Sequence, residues 1–109
     1  LSVCLLDDNR TSEARALAAL GHDLRLQIFR LLVRAGDDGM IVGEIVGNLG
    51  LAPSTVAHHL STLVAAGLVV QDRRGREVVN RAAFARAQAL ADFLMSECCA
   101  GVTRQSGAA

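Results

Sequence analysis

Tryptophan, tyrosine and lysine are absent from this chain, proline occurs once, and aromatic residues make up only 3% of it. Hydrophobic residues still amount to 51%, so a core has to be assembled from Leu, Val, Ile and Ala, which suits packed helices better than a β-sandwich. There is no excess of either charge: 11 basic residues, all arginine, balance 11 acidic ones. That balance alone argues against a nucleic-acid binder, but the distribution is uneven. Residues 51–82 carry Arg73, Arg74, Arg76 and Arg81 against Asp72 and Glu77, whereas residues 1–50 are acidic. Three cysteines, an odd number, do not make a secreted disulfide framework and predict reduced thiols in the cytoplasm. The apolar opening Leu1–Leu6 has no basic flank and runs into Asp7 and Asp8, too short for a signal core or a membrane span.

At 109 residues the chain is expected to form one domain around one core. Residues 1–10 read as an N-terminal segment, 11–100 as the folded unit, and 101–109, rich in Gly, Ser and Ala, as a tail that frays. Glycine and Asp-Gly turn signals divide the folded unit into five apolar helical stretches and one short alternating stretch. Residues 11–20 predict an Ala-rich helix with Thr11 or Ser12 as N-cap and Glu13 in its first turn. Residues 23–35 put Leu24, Ile28, Leu31 and Leu32 on one face and Leu26, Phe29 and Val33 on another, the pattern of a central helix. Met40 to Gly50 reads as a short helix ended by glycine.

The next helix starts at Pro53, whose fixed φ suits a first turn, and runs to about Ala66. Its core face is Val56, Leu60, Leu63 and Val64. The opposite face carries Ser54, His58, Ser61 and Thr62, with Thr55 at its edge, all able to hydrogen-bond. Runs of β-branched residues at 68–71 and 77–81 bracket an arginine-rich turn around Gly75 and predict a hairpin. A last helix from Phe84 to about Cys99 puts Ala87, Leu90, Ala91, Leu94, Met95 and Cys98 on one side, with Gly101 as its stop.

A short helix, a tight turn, a helix with a polar outer face and a basic hairpin form, in that order, a winged helix-turn-helix. The fold class is therefore mainly α with a β-hairpin wing, in the order α-α-α-α-β-β-α. In such a fold Ser54, Thr55, His58, Ser61 and Thr62 would face base edges in a major groove, while Arg73, Arg74 and Arg76 on the wing would take phosphates or the minor groove. Taken singly each is compatible with a solvated surface; the ordered set is what is specific. His58 and His59 point about 100° apart on a helix and cannot easily share one ion, so His58 is expected outside and His59 partly buried. His22, after Gly21 at a helix junction, is expected to be a cap or a surface residue. No base-oriented nucleophile and no Gly-rich phosphate loop is present, so no catalytic residues and no enzyme activity are expected.

The stretch ALAALGHDLRLQIFRLL resembles the opening helices of the ArsR-SmtB repressors, and GEIVGNLGLAPSTVAHHLSTLVAAGLV followed by RRGREVVNRA resembles their recognition unit and wing. The resemblance covers residues 16 to about 99. It implies a homodimer joined through its first and last helices that binds operator DNA and loses operator affinity when a ligand binds. Ala57 stands where that family often has Ser in the recognition helix, and Asn80 where its wing often has Tyr.

The resemblance does not name the ligand, so the residues have to. GMIVGEIVG contains no cysteine where the family's Cys-Val-Cys pair is expected, and residues 82–97 contain Asp92 and Glu97 but no histidine. A zinc, nickel or cobalt sensor is thereby disfavoured. Cys98, Cys99 and Cys4 remain as a three-sulfur set, which fits trivalent arsenic or antimony as inducer with no organic cofactor. The ending also resembles arsenic-responsive members with a C-terminal Cys-Cys pair. On a helix the two thiols would diverge by about 100°, so joint ligation requires the last turn to unwind, which Gly101 permits. The alternative expectations are a persulfide or oxidant sensor built on the same cysteines, and Cys98 as a simple hydrophobe of the dimer core.

Overall fold

The computed structural model describes residues 8–102, with side chains from residue 12 onward. Helix α1 spans Asp8–Leu20 and α2 spans Asp23–Ala35. A single tight turn, Gly36–Asp38, leads to α3, Val42–Leu49, and α4, Pro53–Ala65. Strands β1, Val69–Arg74, and β2, Glu77–Ala82, follow, and α5, Phe84–Met95, is the last helix. The element order matches the expected one. Among the described residues no helix is long and apolar enough to cross a membrane.

Helix α1 begins at Asp8, before the expected caps Thr11 and Ser12, which therefore lie inside it. Glu13 is correspondingly not a first-turn carboxylate exposed at a helix N-terminus. It is buried at 8% exposure and paired with Arg86 Nη1 of α5 at 2.9 Å. Ala16 and Ala19 are buried on the same helix, and their lack of bulk lets α1 approach its neighbours closely.

His22 caps α2, its Nδ1 accepting from the Leu24 N–H at 3.2 Å, and Gly36 closes it at φ 71° with its N–H donated to Leu32 and Val33 carbonyls. Ile28, Phe29 and Leu32 are buried. Of the second apolar face only Phe29 reaches the core; Leu26 and Val33 remain 40% and 41% exposed. The helix is thus covered on one broad side by the described residues, which leave Leu26 and Val33 partly open.

The start of α3 is held by Glu44, whose Oε1 accepts from the Ile41 N–H at 3.0 Å, and its end by Gly50 at φ 69°, donating to Val46 O at 2.8 Å. Pro53 occupies the first turn of α4. Val56, Leu60 and Leu63 of α4 meet Ile45 of α3, Ile28 and Leu32 of α2, and Leu68 and Val69 at the root of the hairpin to form the core.

The strands pair antiparallel from Val69↔Ala82 to Arg74↔Glu77. They extend closer to the tip than the sequence suggested, so Arg73 and Arg74 lie on β1 and the turn is only Gly75-Arg76. Gly75 has φ 65° and Arg76 does not share a positive φ, the pattern of a type II′ turn with glycine first. Met40, ahead of α3, pairs with Asn80 through two backbone bonds of 2.9 and 2.8 Å. Gly39 makes this possible, since a Cβ there would sit 2.5 Å from Asn80 O.

Helix α5 departs most from expectation. It ends at Met95 rather than near Cys99, and Leu90 is its buried residue. Leu94 and Met95, read as part of a buried side, are 58% and 63% exposed. Every described residue from Ala91 to Val102 is exposed.

Candidate nucleic-acid interface and thiol site

The outer face of α4 is as the spacing predicts. Ser54, His58 and Ser61 are exposed on one side, and Val56, Leu60 and Leu63 are buried on the other. Thr55 and Thr62 are half-buried at the edge. The Thr62 hydroxyl donates to the His58 carbonyl at 3.4 Å, and its side chain borders a cleft against α1, so it stands apart from the exposed trio. The exposed trio contains no arginine and no carboxylate, which leaves most phosphate attraction to other elements.

The adjacent histidines do diverge. His58 is exposed, while His59 is buried at 7% exposure with its ring centroid 4.7 Å from that of His22 and 5.5 Å from that of His58. Burial lowers the His59 pKa below its ordinary 6.5, and the neighbouring cations His22, Arg25 and His58 lower it further. His59 Nδ1 is buried with no hydrogen-bond partner. Among the described residues no group of three or more His, Cys, Asp or Glu side chains is placed to hold a metal ion.

On the wing, Arg73, Arg74 and Arg76 are all exposed. Arg81 differs: its Nε donates to Asp72 Oδ2 at 2.8 Å across the strands, which fixes the hairpin instead of offering a free cation. Asn80 is wholly buried. Its Nδ2 donates to Met40 O at 3.1 Å and its Oδ1 accepts from Gln71 Nε2 at 2.8 Å, so both ends of the amide are satisfied and the wing is fastened to the segment that opens α3. Sequence reasoning noted Asn80 only as a departure from the family pattern. A polar residue between Val79 and Ala82 in a short apolar strand was the available signal.

The thiol pair sits beyond α5. Cys98 and Cys99 are free and exposed, with their Sγ atoms 3.3 Å apart. The chain there is a run of turns, with Cys98 N–H donated to Met95 O at 2.9 Å and Ala100 N–H to Glu97 O at 3.1 Å. Cys99 is the non-glycine residue with positive φ, 67°, and this left-handed step brings the two sulfurs to one side. The backbone here is not helical, and the two thiols lie side by side. Cys4, the expected third sulfur, lies outside the described residues. Arg86, near the start of α5, reaches α1 twice more, donating to Ser12 O at 3.0 Å and Ser12 Oγ at 2.6 Å. Glu13 was read from the sequence only as a first-turn residue and Arg86 not at all, because residues 73 apart give no periodic signal.

Residues 20–72 match the family model described as a helix-turn-helix domain. A provisionally assigned arsenical resistance operon repressor of Halobacterium salinarum, ArsR2, is 34% identical over 68 residues, 62% of this chain and 56% of that protein. The chain thus aligns with little more than half of that relative's length. An ArsR-like transcriptional regulator from Rhodococcus sp. RHA1 superposes with TM-score 0.72 at 28% identity, over 81% of this chain and 80% of that one. The homodimeric winged helix-turn-helix DNA-binding domain Mb0332 of Mycobacterium bovis, a candidate ArsR-family regulator, superposes with TM-score 0.65 at 29% identity, over 95% and 94%. These relatives are regulators and not enzymes. These likenesses show the fold, a winged helix-turn-helix similar to that of ArsR-like regulators.

Proposed function

We propose that the chain is a homodimeric, DNA-binding transcriptional repressor that releases its operator when Cys98 and Cys99 bind trivalent arsenic or antimony. The observation that carries the sensing half is the pair of free, exposed sulfurs 3.3 Å apart on an unwound turn, close enough for one soft, thiophilic centre to bridge both. Arsenous acid would exchange two hydroxyls for two thiolates; each thiol proton leaves with one hydroxyl as water, and no redox change occurs. Cys4, from its own chain or a partner copy, would replace the third hydroxyl in the same way.

DNA binding is assigned to Ser54, Thr55, His58, Ser61 and Thr62 on α4, with Thr62 at the margin, and to Arg73, Arg74 and Arg76 on the wing. The short polar side chains of the α4 face suit base edges, and the wing arginines suit phosphates. Dimerisation through α1 and α5 is supported by Leu17, Phe93, Leu94 and Met95, large apolar side chains left open on those helices, and by the homodimeric Mycobacterium bovis relative. A ligand bridging Cys98 and Cys99 would then act at the end of the dimer helix.

The test is fluorescence anisotropy of a labelled promoter fragment with reduced protein, titrated in parallel with arsenite, zinc and a persulfide donor. Release by arsenite, lost in Cys98→Ser and Cys99→Ser, is the expected result. Release by the persulfide donor alone would assign the same thiols to sulfur redox chemistry, and absence of specific DNA binding would overturn the reading.

A further inference from the structure

A cleft of about 410 Å³ opens between α1, the start of α2 and the last turn of α4. Its volume lies within the ~300–1,000 Å³ usual for small-molecule sites. The floor is apolar, built from Ala18 and Ala19 of α1 and Ala65 and Ala66 of α4, while Arg15 and Arg25 stand on the α1 and α2 walls.

Arg25 is fixed in this position. Its Nε donates to the Ala19 carbonyl at 2.7 Å, one of the acceptors left over at the end of α1, and the residue is half-buried. That partner is neutral, so the guanidinium keeps its full charge and its two terminal nitrogens remain for another acceptor. Among the described residues the ion pairs are Arg81–Asp72 and Arg86–Glu13, and neither involves the cleft. Asp23, the acidic residue of the first turn of α2, accepts from Gln27 Nε2 at 3.3 Å. The cleft therefore offers oriented positive charge above a small-residue apolar floor. That combination fits an anionic head carried on a short hydrocarbon body.

We infer that this cleft binds a small organic anion, a monocarboxylate with a short aliphatic tail, with Arg25 and Arg15 on the carboxylate and the alanine floor against the tail. A planar carboxylate matches the paired N–H groups of a guanidinium better than a single-point cation would. The site is separate from Cys98 and Cys99. Because Ala65 and Ala66 close α4, occupancy would press on the helix whose outer face is assigned to DNA; that consequence rests on the proposed function, while binding itself does not.

The probe is octanoate, followed by backbone amide chemical shifts of the full chain, with octanol and inorganic phosphate as parallel arms. Saturable shifts with octanoate, centred on Ala18, Ala19, Ala65 and Ala66, are expected. Arg25→Gln should weaken them on the order of tenfold, the value of one charge-assisted contact. Ala65→Leu, which fills the floor without touching a charge, should abolish them, whereas Arg30→Gln on the exposed side of α2 should leave them unchanged. Equal shifts with octanol would remove the role of the arginines and overturn the inference. So would equal shifts with phosphate, which would reduce the cleft to an adventitious anion contact, and so would octanoate shifts untouched by both cleft variants. Loss of operator binding in the unmodified chain would instead count against the proposed function and leave the cleft result standing.

Discussion

The segment from α2 through the hairpin and the segment after Leu90 are built on opposite terms. In the first, apolar side chains from five elements close over one another, and the wing is fastened by Asn80, Met40 and Gln71. In the second, every described residue from Ala91 to Val102 is exposed, and large apolar side chains stand beside two thiols. The helix-turn-helix and the wing are therefore set by contacts within one chain. Among the described residues nothing covers the thiol end, and under the proposed function a second copy or a ligand would organise it. A ligand can shift only an element whose position is not already over-determined.

The contrast breaks most directly through paired truncations. Leu32→Ala removes a wholly buried side chain of α2 and should cost about 2–5 kcal/mol in denaturant unfolding, at any protein concentration. Leu94→Ala, at 58% exposure, should change unfolding of the monomer by no more than about 0.5 kcal/mol. It should instead weaken self-association, read by sedimentation equilibrium. Similar unfolding costs at the two positions would mean that α5 packs within its own chain and that the contrast is false.

Asn80→Ala tests the fastening of the wing. Met40 O keeps the backbone N–H of residue 80 but loses its side-chain donor, and the exposed Gln71 loses its acceptor, for an expected loss of about 0.5–1.5 kcal/mol. DNA affinity should fall further than this stability loss explains, because the wing arginines would no longer be held at a set angle to α4. Equal operator affinity in Asn80→Ala and the unmodified protein, at a temperature where both are folded, would show that the wing needs no such tie.

Arg86 lies between the two regions and ties the start of α5, the helix that leads into the open end, to Glu13 and Ser12 of α1. Arg86→Ala should cost about 1–2 kcal/mol, discounted because the Arg86 side chain is 25% exposed. Most of that loss is the unpaired Glu13 carboxylate, so Glu13→Gln in the Arg86→Ala background should recover part of it. No recovery in the double variant would locate the loss in the Ser12 contacts instead.

Much of this was legible in the sequence because it depends on local chemistry. Pro53, Gly50 and the alternation of Val56, Leu60 and Leu63 with Ser54, His58 and Ser61 define α4 by periodicity alone, and Gly75 marks the turn. The limits are equally physical. The early start of α1 was missed because Asp8 to Arg10 carry no apolar period, and the early end of α5 because helix formers continue to Glu97 while the tertiary contacts that would favour the helix stop at Leu90. Glu13, Arg86 and the second role of Asn80 depend on residues distant in sequence. The divergence of two adjacent side chains on a helix was legible from geometry; the positive φ at Cys99 is a backbone property that no pattern announces.

The smallest expected effect concerns His59, which lies at the junction between the packed region and the DNA-facing surface. In the folded chain its pKa is held below 6.5 by burial first, then by His22, Arg25 and His58. The unfolded chain therefore binds a proton on His59 more readily than the folded one. Stability attributable to this residue is fully present above pH 6.5 and is lost as pH falls from there toward the lowered value, below which the loss levels off. His59→Leu removes the titrating group and the unpartnered Nδ1 together, so unfolding free energy measured from pH 7.5 to 5 should depend less on pH in the variant. His58→Leu, which removes only the smallest of the causes acting on His59, should retain most of the original slope. If His59→Leu keeps that slope instead, the acid sensitivity of the fold belongs to other groups, and the stacking of His22 on His59 is a packing contact without a proton coupled to it.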